Sequence, residues 1–544
     1  MLEKLKQFRL ADLFLLAGWA VVMYFGNLDH KYAAFNVVGV ISIAYLMCQK
    51  NIVVPKEPVI FSFLLVAFSF VLIPLMSRPG YYMNHAADWS AFAAIFLVAY
   101  NLKSRKKFAG WFTKLNTVVT VITIVIGLIQ YYVTDGFSHS IFRHQNLAAE
   151  YLGLSFMLHL FSGVTWILGP ILAMIYFMYC RAVWVALPVA IVTYLLVTRK
   201  RNQLKPVLSA FLIAGIIATT LLMTREKLHP KAPIVGAIAS AKPESAQTRV
   251  IRGMNTIFMI ADNPLGVGPG NWEWGYTPWF KAWRRDPDVH SKSVVRSPHN
   301  AYLELLAEYG LPAGICILTA LGIFLWRSRR YSYLMAFSAY ILTDALFNFP
   351  MELAVTIYAF ALALGFYSRS YSNETHRHME LGRSAIRIIF AIPLIFSFIW
   401  TTRYSLGEFY ETEKTYKGYA LACKINPSDW QACINKGVNE IMYSRFGRAE
   451  RTLKGILKER PYHHLANGFL IHSLKKQGKE KEAAQMEQYY KNYMRTDKVW
   501  SYEIKAPKGF EKFKKQLEVK NDRGRNSKKG PARSKQNRSK AIQK

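Results

Sequence analysis

The sequence predicts an all-α protein: a polytopic helical bundle in a membrane, followed by a soluble helical-repeat domain. Hydrophobic residues make up 52% of the 544 residues, and long apolar runs recur through the first three quarters of the chain. Each run is close to the length of a bilayer-crossing helix, roughly 20 residues. The net charge of +35 would suggest nucleic acid binding in a soluble protein. Here much of the charge lies in short loops and in the tail, so it predicts membrane orientation instead.

The membrane domain is predicted over residues 1–403, with about twelve or thirteen transmembrane helices. The predicted spans are Ala11–Phe25, Ala33–Met47, Val59–Met76, Ala87–Tyr100, Leu115–Val133, Leu147–Phe161, Val164–Tyr179, Val183–Val197, Val207–Met223, Tyr302–Trp326, Tyr333–Phe347, Leu353–Tyr367 and Ile386–Ile399. The basic opening, MLEKLKQFR, precedes the first apolar run and indicates a retained helix rather than a cleaved signal peptide.

Lysine and arginine clusters in the short loops predict the orientation of these spans. Clusters precede the first span and follow the fourth, eighth and tenth, so all of them fall on one side. That side is the cytoplasm, because positively charged loops are retained there. The loop 224–300 and everything after Thr401 are then predicted to lie outside the cytoplasm. An enzyme on that side needs an activated substrate, since nucleoside triphosphates are not available there.

The polar stretch RSPHNAYLELLAEYG enters the tenth predicted span. Pro298 can preset the start of a helix, and Asn300 suits its N-cap. Glu304 and Glu308 are four residues apart and share a helix face. Ionisable groups at this depth usually face a polar cavity or a partner. The alternative is that His299 and Asn300 only cap the helix while the glutamates pair with arginines.

The stretch from Pro298 is similar to the His-Asn-x-Tyr-Leu-Glu-x-x-x-Glu-x-Gly signature of the O-antigen ligase and polymerase superfamily. Three further stretches resemble that family in the expected order: FRHQNLAAEYL from Phe142, YCRAVWVAL from Tyr179 and TRVIRGMNTIFMIADNPLGVGPGNW from Thr248. The resemblance extends from Phe142 to Phe366. Cys180 stands in place of a small hydroxyl residue, and Gly253 stands where a tryptophan is frequent.

The resemblance implies transfer of a glycan from an undecaprenyl-diphosphate carrier to an acceptor hydroxyl, with inversion and without metal or cofactor. Arg181 and Arg249 would stabilise the diphosphate leaving group, because arginine stays charged and matches phosphate geometry. His299 would be the general base, since histidine titrates near neutral pH. The expected substrate-binding residues are Asn146, Asn300, Glu304, Glu308, Arg252 and Arg143. The predicted topology independently puts Asn146, Arg181, Arg249 and His299 on one side.

Plainer interpretations remain open for individual residues. Arg181 could snorkel to the interface, Arg249 could be an exposed loop charge, and Arg252 is better suited to a structural role. Asp344 could face the site or make a helix–helix contact. The favoured function is a glycosyltransferase that uses lipid A–core as acceptor, an O-antigen ligase in lipopolysaccharide biosynthesis. A polysaccharide polymerase, a protein O-oligosaccharyltransferase, and a non-catalytic scaffold or glycan-lipid transporter are the alternatives.

The outer loop and its aromatic residues allow two further predictions. The glycines of GVGPGNW are interpreted as turn residues, because the strand–helix setting and the lysine of a nucleotide loop are missing. Four tryptophans follow, either in the interfacial aromatic belt or stacked on sugar rings. They are Trp272, Trp274, Trp279 and Trp283.

Residues 404–502 are predicted to form a tetratricopeptide-like helical domain. Ala449 and Ala483 are 34 residues apart, the period of that repeat, and such repeats usually bind proteins. A disulfide between Cys423 and Cys433 is a hypothesis that suits an oxidising compartment. Residues 503–544 are basic and poor in apolar residues, so a disordered tail that binds acidic surfaces, or only solubilises, is expected. The expected partners are the glycan donor, its acceptor, membrane lipids and a protein bound through the repeat domain, but no nucleic acid.

Overall fold

The computed structural model divides the chain into two units, Met1–Phe409 with Ile425–Ser428, and Tyr410–Lys424 with Asp429–Lys544. The structure describes residues 10–25, 31–55, 79–102, 105–133, 140–142, 145–178, 180–198, 204–228, 243–276, 279–280, 282, 286, 295, 297–329, 331–348, 354–375, 378–426, 430–459 and 463–494. The predicted span Val59–Met76 and the predicted basic tail 503–544 lie outside these residues.

The described part of the first unit is built almost entirely of helices. They are α1 Leu10–Phe25, α2 Lys31–Met47, α3 Pro79–Tyr100, α4 Arg105–Val133, α5 Gln145–Ser162, α6 Leu168–Phe177, α7 Arg181–Thr198, α8 Leu204–Leu228, α9 Pro243–Asp262, α10 Trp272–Gly275, α11 Ala301–Ser328, α12 Ser332–Asp344, α13 Ala354–Thr375 and α14 Arg383–Thr412. Their order and positions confirm the predicted all-α, polytopic class. The helix α12 packs along α7, and α13 packs along α3.

Four described helices are long and apolar enough to cross a membrane: Arg105–Val133, Arg181–Thr198, Leu204–Thr224 and Ala301–Trp326. The bent helix α14 makes a fifth if its two parts form one span. Other predicted spans are shorter than expected, such as α6 with ten residues. Span length was overestimated there because an apolar run does not show where the helix ends.

Helices α4 and α5 meet through a buried polar seam. The Asn116 amide donates to Ser155 Oγ at 3.2 Å, and the Tyr151 hydroxyl donates to Asn116 Oδ1 at 3.1 Å. One turn further along α5, His159 Nε2 lies 2.9 Å from Thr117 Oγ1. Polar side chains inside an apolar bundle are stable only with such partners, so the seam fixes the register of the two helices.

A two-stranded antiparallel sheet interrupts the all-α pattern. Strand β1, Asn51–Pro55, pairs with β2, His378–Gly382. The Asn101 side chain extends this contact, since its amide nitrogen and oxygen bond to Val53 O and Val53 N at 2.9 and 2.8 Å. The sheet was not predicted, because β1 is a five-residue run whose partner lies more than 300 residues away.

The second unit contains α15 Tyr416–Ile425, α16 Trp430–Met442, α17 Phe446–Glu459, α18 His464–Lys476 and α19 Glu480–Met494. Consecutive helices from α16 onward pack against each other, and Ala449 and Ala483 are both fully buried. Cys423 and Cys433 form a disulfide, which confirms that hypothesis. The assignment to the tetratricopeptide class stays a prediction.

Candidate functional site

The segment that carries His299 is fastened to the end of α12. Asn300 caps α11: its side-chain oxygen accepts from Tyr302 N and Leu303 N at 3.1 and 3.0 Å, as predicted. The same side chain donates to Leu346 O at 3.2 Å. His299 has a φ of +55°, a left-handed conformation that costs a non-glycine residue roughly 1–2 kcal/mol. The surrounding contacts therefore hold His299 in a strained backbone position, as often occurs at functional sites.

Helix α11 is broken at Gly310, where φ and ψ are 81° and 165°. The loop 264–268 docks on this break through three backbone hydrogen bonds. Val267 N donates to Ala307 O at 2.9 Å, Gly268 N to Glu308 O at 2.9 Å and Leu311 N to Pro264 O at 2.8 Å. We call this contact the glycine clasp, because Gly266 and Gly310 let the two backbones touch. The clasp joins the two most specific motifs of the sequence.

The clasp glycines include the predicted turn residues. Gly266, Gly268 and Gly270 have φ values of 85°, 97° and 74°, which confirms their interpretation as turns. A Cβ atom on Gly266 would lie 2.5 Å from Gly310 N, so a larger residue does not fit there.

Glu308 is buried, and one of its carboxylate oxygens accepts from Trp272 N at 3.1 Å. It therefore holds the N-terminus of α10 against α11, where a negative charge is also favoured by the helix dipole. Trp272 itself is 1% exposed and stacks on Tyr276 with ring centroids 4.5 Å apart. The expectation that it lies in the aromatic belt or stacks on sugar is thus wrong, because its ring is buried against Tyr276. Trp279 is half-buried; Trp283 and the Trp274 side chain lie outside the described residues.

Arg252 is locked into a buried ion pair. Its Nε lies 3.0 Å from Asp286 Oδ2, and both side chains are almost fully buried. Tyr276 donates to the same carboxylate oxygen at 3.0 Å, and Asn255 donates to the Tyr276 hydroxyl at 3.2 Å. Burial and the negative charge of Asp286 raise the pKa of Tyr276 well above its usual value. A second bond, from Arg252 Nη1 to Ser297 O at 3.4 Å, connects this network to the segment that carries His299.

Arg249 reaches the same turn as Asn300. Its Nη1 donates to Phe347 O at 3.0 Å, next to the Leu346 carbonyl that Asn300 holds. Within the described part of the chain, no carboxylate forms an ion pair with Arg249. Burial lowers the pKa of Arg249, and the nearby charges of Arg181 and Arg252 lower it further. The guanidinium is therefore a positive charge in surroundings that favour an added anion.

A second cluster lies beside Arg181, which is exposed at the first residue of α7. The preceding residue, Cys180, is buried and lies 3.9 Å from the Asn348 side-chain nitrogen. That nitrogen also lies 2.9 Å from Glu150 Oε1 and 3.3 Å from Asp344 Oδ1. The Asn348 amide thus bridges the buried carboxylates of Glu150 and Asp344. The charge of Asp344 also interacts electrostatically with Arg249, although the two side chains form no hydrogen bond. This favours the site-facing interpretation of Asp344.

The remaining predicted substrate-binding residues are Asn146, Glu304 and Arg143. Asn146 is half-buried in the first turn of α5, one turn before Glu150. Glu304 is half-buried in the first turn of α11, and its backbone nitrogen donates to Asn300 O at 3.1 Å. Arg143 lies outside the described residues.

Sequence reasoning missed Glu150, Asn348 and Asp286. Glu150 could have been found, because an ionisable residue inside a predicted span is itself a signal of function. Asn348 and Asp286 gave no such signal, since a single polar residue in a loop is common. Among the described residues, no group of three His, Cys, Asp or Glu side chains is placed to hold a metal ion.

The fold and these contacts define a multi-pass helical membrane protein in which the charge of Arg249 interacts with those of Arg181 and Arg252. Residues 166–318 match the family model of the O-antigen ligase, a little over a quarter of the chain. The matched region contains Arg181, Arg249 and His299 and ends inside α11, so this part of the chain is similar to an O-antigen ligase domain. The match supports a general role in glycan ligation or transfer at a membrane.

The family match is shorter than the predicted resemblance from Phe142 to Phe366. It begins after α5 and stops before α12, so Asn146, Glu150 and Asp344 lie beyond it. No curated protein matches the chain, and no solved structure does.

Proposed function

We propose that the protein transfers a glycan from an undecaprenyl-diphosphate carrier to an acceptor hydroxyl on the periplasmic face of the inner membrane, with lipid A–core as the acceptor. The observation that carries the proposal is the convergence of Arg249 and the His299–Asn300 segment on the adjacent carbonyls of Leu346 and Phe347. A cation that forms no ion pair with any described residue, beside a histidine with a strained backbone, suits a reaction in which a diphosphate leaves while a hydroxyl loses its proton.

In the proposed reaction, Arg249 and Arg181 bind the diphosphate and stabilise the charge that develops as it leaves. His299 accepts the proton of the acceptor hydroxyl while that oxygen attacks the anomeric carbon, so the configuration inverts. The proton ends on the imidazole, and the diphosphate leaves as the anion held by the arginines. No metal ion is required for this step.

Contacts of the first unit support the predicted orientation. The strands β1 and β2 and Asn101 follow the second, twelfth and fourth predicted spans, all of which end in the predicted cytoplasm. Conversely, Glu150, Cys180 and Asn348 come from three predicted outer loops or their borders and contact each other. Segments that touch must lie on one side of the bilayer, so both groups are consistent with the proposed topology.

The test uses purified full-length protein with an undecaprenyl-diphosphate oligosaccharide and three acceptors: lipid A–core, a second glycan-lipid and a periplasmic protein. We expect transfer to lipid A–core that disappears in His299→Ala, with donor binding retained, because a general base acts on the chemical step. Arg249→Met is expected to weaken donor binding as well. His472→Ala, in the second unit, is the matched control and should behave as wild type.

Each other outcome has a defined meaning. Transfer to the second glycan-lipid or to the protein would keep the enzyme and replace the acceptor. Donor binding without transfer to any acceptor, equal in wild type and His299→Ala, would overturn the enzyme and favour a scaffold or transporter.

A further inference from the structure

Helix α9 exposes apolar side chains although it buries polar ones. Its inward face buries Arg252, Asn255 and Thr256, which are 3%, 0% and 0% exposed, together with the apolar residues Ile251, Met259 and Ile260. Its outward face leaves Val250, Ile257 and Phe258 exposed by 57%, 46% and 42%. At 3.6 residues per turn, these three side chains fall within an arc of roughly 100°. The exposed residues therefore form one stripe, which we call the α9 stripe.

The stripe continues beyond the helix into the glycine clasp. Leu265 is 77% exposed, although its backbone packs against Gly310 of α11. Gly310 is nine residues after Ala301, where the membrane-spanning part of α11 begins. At 1.5 Å per residue, this point lies roughly 13 Å along the span. The Leu265 side chain is thus exposed beside a helix that is long and apolar enough to cross the membrane, roughly 13 Å from the first residue of that candidate span.

The helix α9 itself lies beside the start of that span. The two helices pack together, and a Cβ atom on Gly253 would lie 3.4 Å from Leu303, the third residue of the spanning part. An apolar face at the boundary of a bilayer loses contact with water when it enters the hydrocarbon, while the polar face keeps its bonds inside the protein.

We propose that the α9 stripe and Leu265 form a lipid-contact surface that seats α9 in the hydrocarbon boundary of the bilayer leaflet. The occupant is the acyl region of the membrane, because the surface is continuous with a helix long and apolar enough to span it, and every exposed residue of α9 from Val250 to Phe258 is apolar. Arg249 precedes Val250 directly, so the seated helix holds its guanidinium near the level of lipid headgroups. The inference concerns lipid contact and is independent of the transfer reaction.

The test places an environment-sensitive fluorophore on single positions of the full-length protein in nanodiscs. Cys48 and Cys316, the exposed free cysteines of the described residues, are first replaced by alanine. The label is then attached to Ile257→Cys, with Leu265→Cys as a second probe. Val125→Cys, on the exposed face of the spanning helix α4, is the lipid control, and Arg451→Cys, exposed on α17, is the water control.

We expect brominated acyl chains to quench Ile257→Cys and Leu265→Cys as strongly as Val125→Cys, while aqueous iodide quenches only Arg451→Cys. Quenching of both stripe positions by iodide would overturn the proposal. Protection from both quenchers would assign the surface to a protein neighbour, including a second copy of this chain, and would overturn it equally. Because two positions are probed, a single variant that fails to fold leaves the test intact.

Discussion

Replacing Gly310 with alanine should break the glycine clasp. With φ and ψ of 81° and 165°, Gly310 lies in a region that is almost restricted to glycine, so alanine costs about 2 kcal/mol there. The added Cβ atom would also lie 2.6 Å from Leu265 O, and the loop must move away.

The size of the effect follows from the bonds of the clasp. Movement of the loop lengthens three backbone hydrogen bonds, which contribute about 1 kcal/mol each. Together with the backbone conformation, the expected loss of stability is about 5 kcal/mol. The assay is thermal unfolding in detergent, combined with amide hydrogen exchange at Val267 and Gly268, whose protons should lose protection.

Substitutions at two other glycines separate the cost of the backbone conformation from the cost of losing the clasp. Gly322, in the same helix, has nothing within 4 Å of an added Cβ atom and no positive φ, so Gly322→Ala should be neutral or slightly stabilising. Gly163 has a φ of +75° in open space, so Gly163→Ala should lose only the backbone part, about 1–2 kcal/mol. If Gly310→Ala unfolds no earlier than Gly163→Ala, the clasp does not hold the loop and the reasoning is refuted.

Three further predictions concern charges and the disulfide. Arg252→Met leaves the Asp286 carboxylate buried without its partner and should lower the free energy of unfolding by about 3–5 kcal/mol. Arg249→Met should leave the unfolding temperature unchanged or higher, while glycan transfer is lost. Equal destabilisation by the two substitutions would contradict this prediction. Two lysines lower the pKa of Glu450 from 4.5 to about 2, so its stabilising effect should be present above pH 4.5 and disappear as the pH falls towards 2. Unfolding of the full chain followed across that range should therefore show a flatter pH dependence for Glu450→Gln. In the denatured protein, thiol labelling without reductant should miss the pair Cys423–Cys433 and reach it after reduction; labelling of all five cysteines at once would exclude the disulfide.

The sequence predicted those features that depend on neighbouring residues. The cap at Asn300, the glycine turns and the disulfide across ten residues all lie within short stretches of chain, where local geometry decides. The helical class followed from the apolar runs for the same reason. The lengths of the weaker spans did not, because an apolar run such as that of α6 does not show where the helix ends.

The features that the sequence did not predict are contacts between residues far apart in the chain. Asp286 becomes the partner of Arg252 across 34 residues, and Asn348 meets Glu150 across 198 residues. No local pattern selects one carboxylate or one amide from many at such distances. The same limit explains why Arg252 was grouped with the substrate-binding residues, although its side chain is bound to Asp286 and Ser297 O.

The two arginines of α9, Arg249 and Arg252, have different surroundings and, in the proposed function, different roles. They are three residues apart, so both approach the elements that pack on the inner side of the helix. The charge of Arg252 is matched by Asp286 in a buried pair, and a pair of this kind is neutral towards an incoming anion. Arg249 has a backbone carbonyl and a distant carboxylate instead, and its burial already disfavours the charge it carries. A half-buried cation with no ion pair among the described residues costs free energy in the empty protein, and the diphosphate of the proposed donor would recover that cost. In the proposed function, the pair Arg252–Asp286 holds α9 in place, and the charge of Arg249 remains available to bind the donor diphosphate.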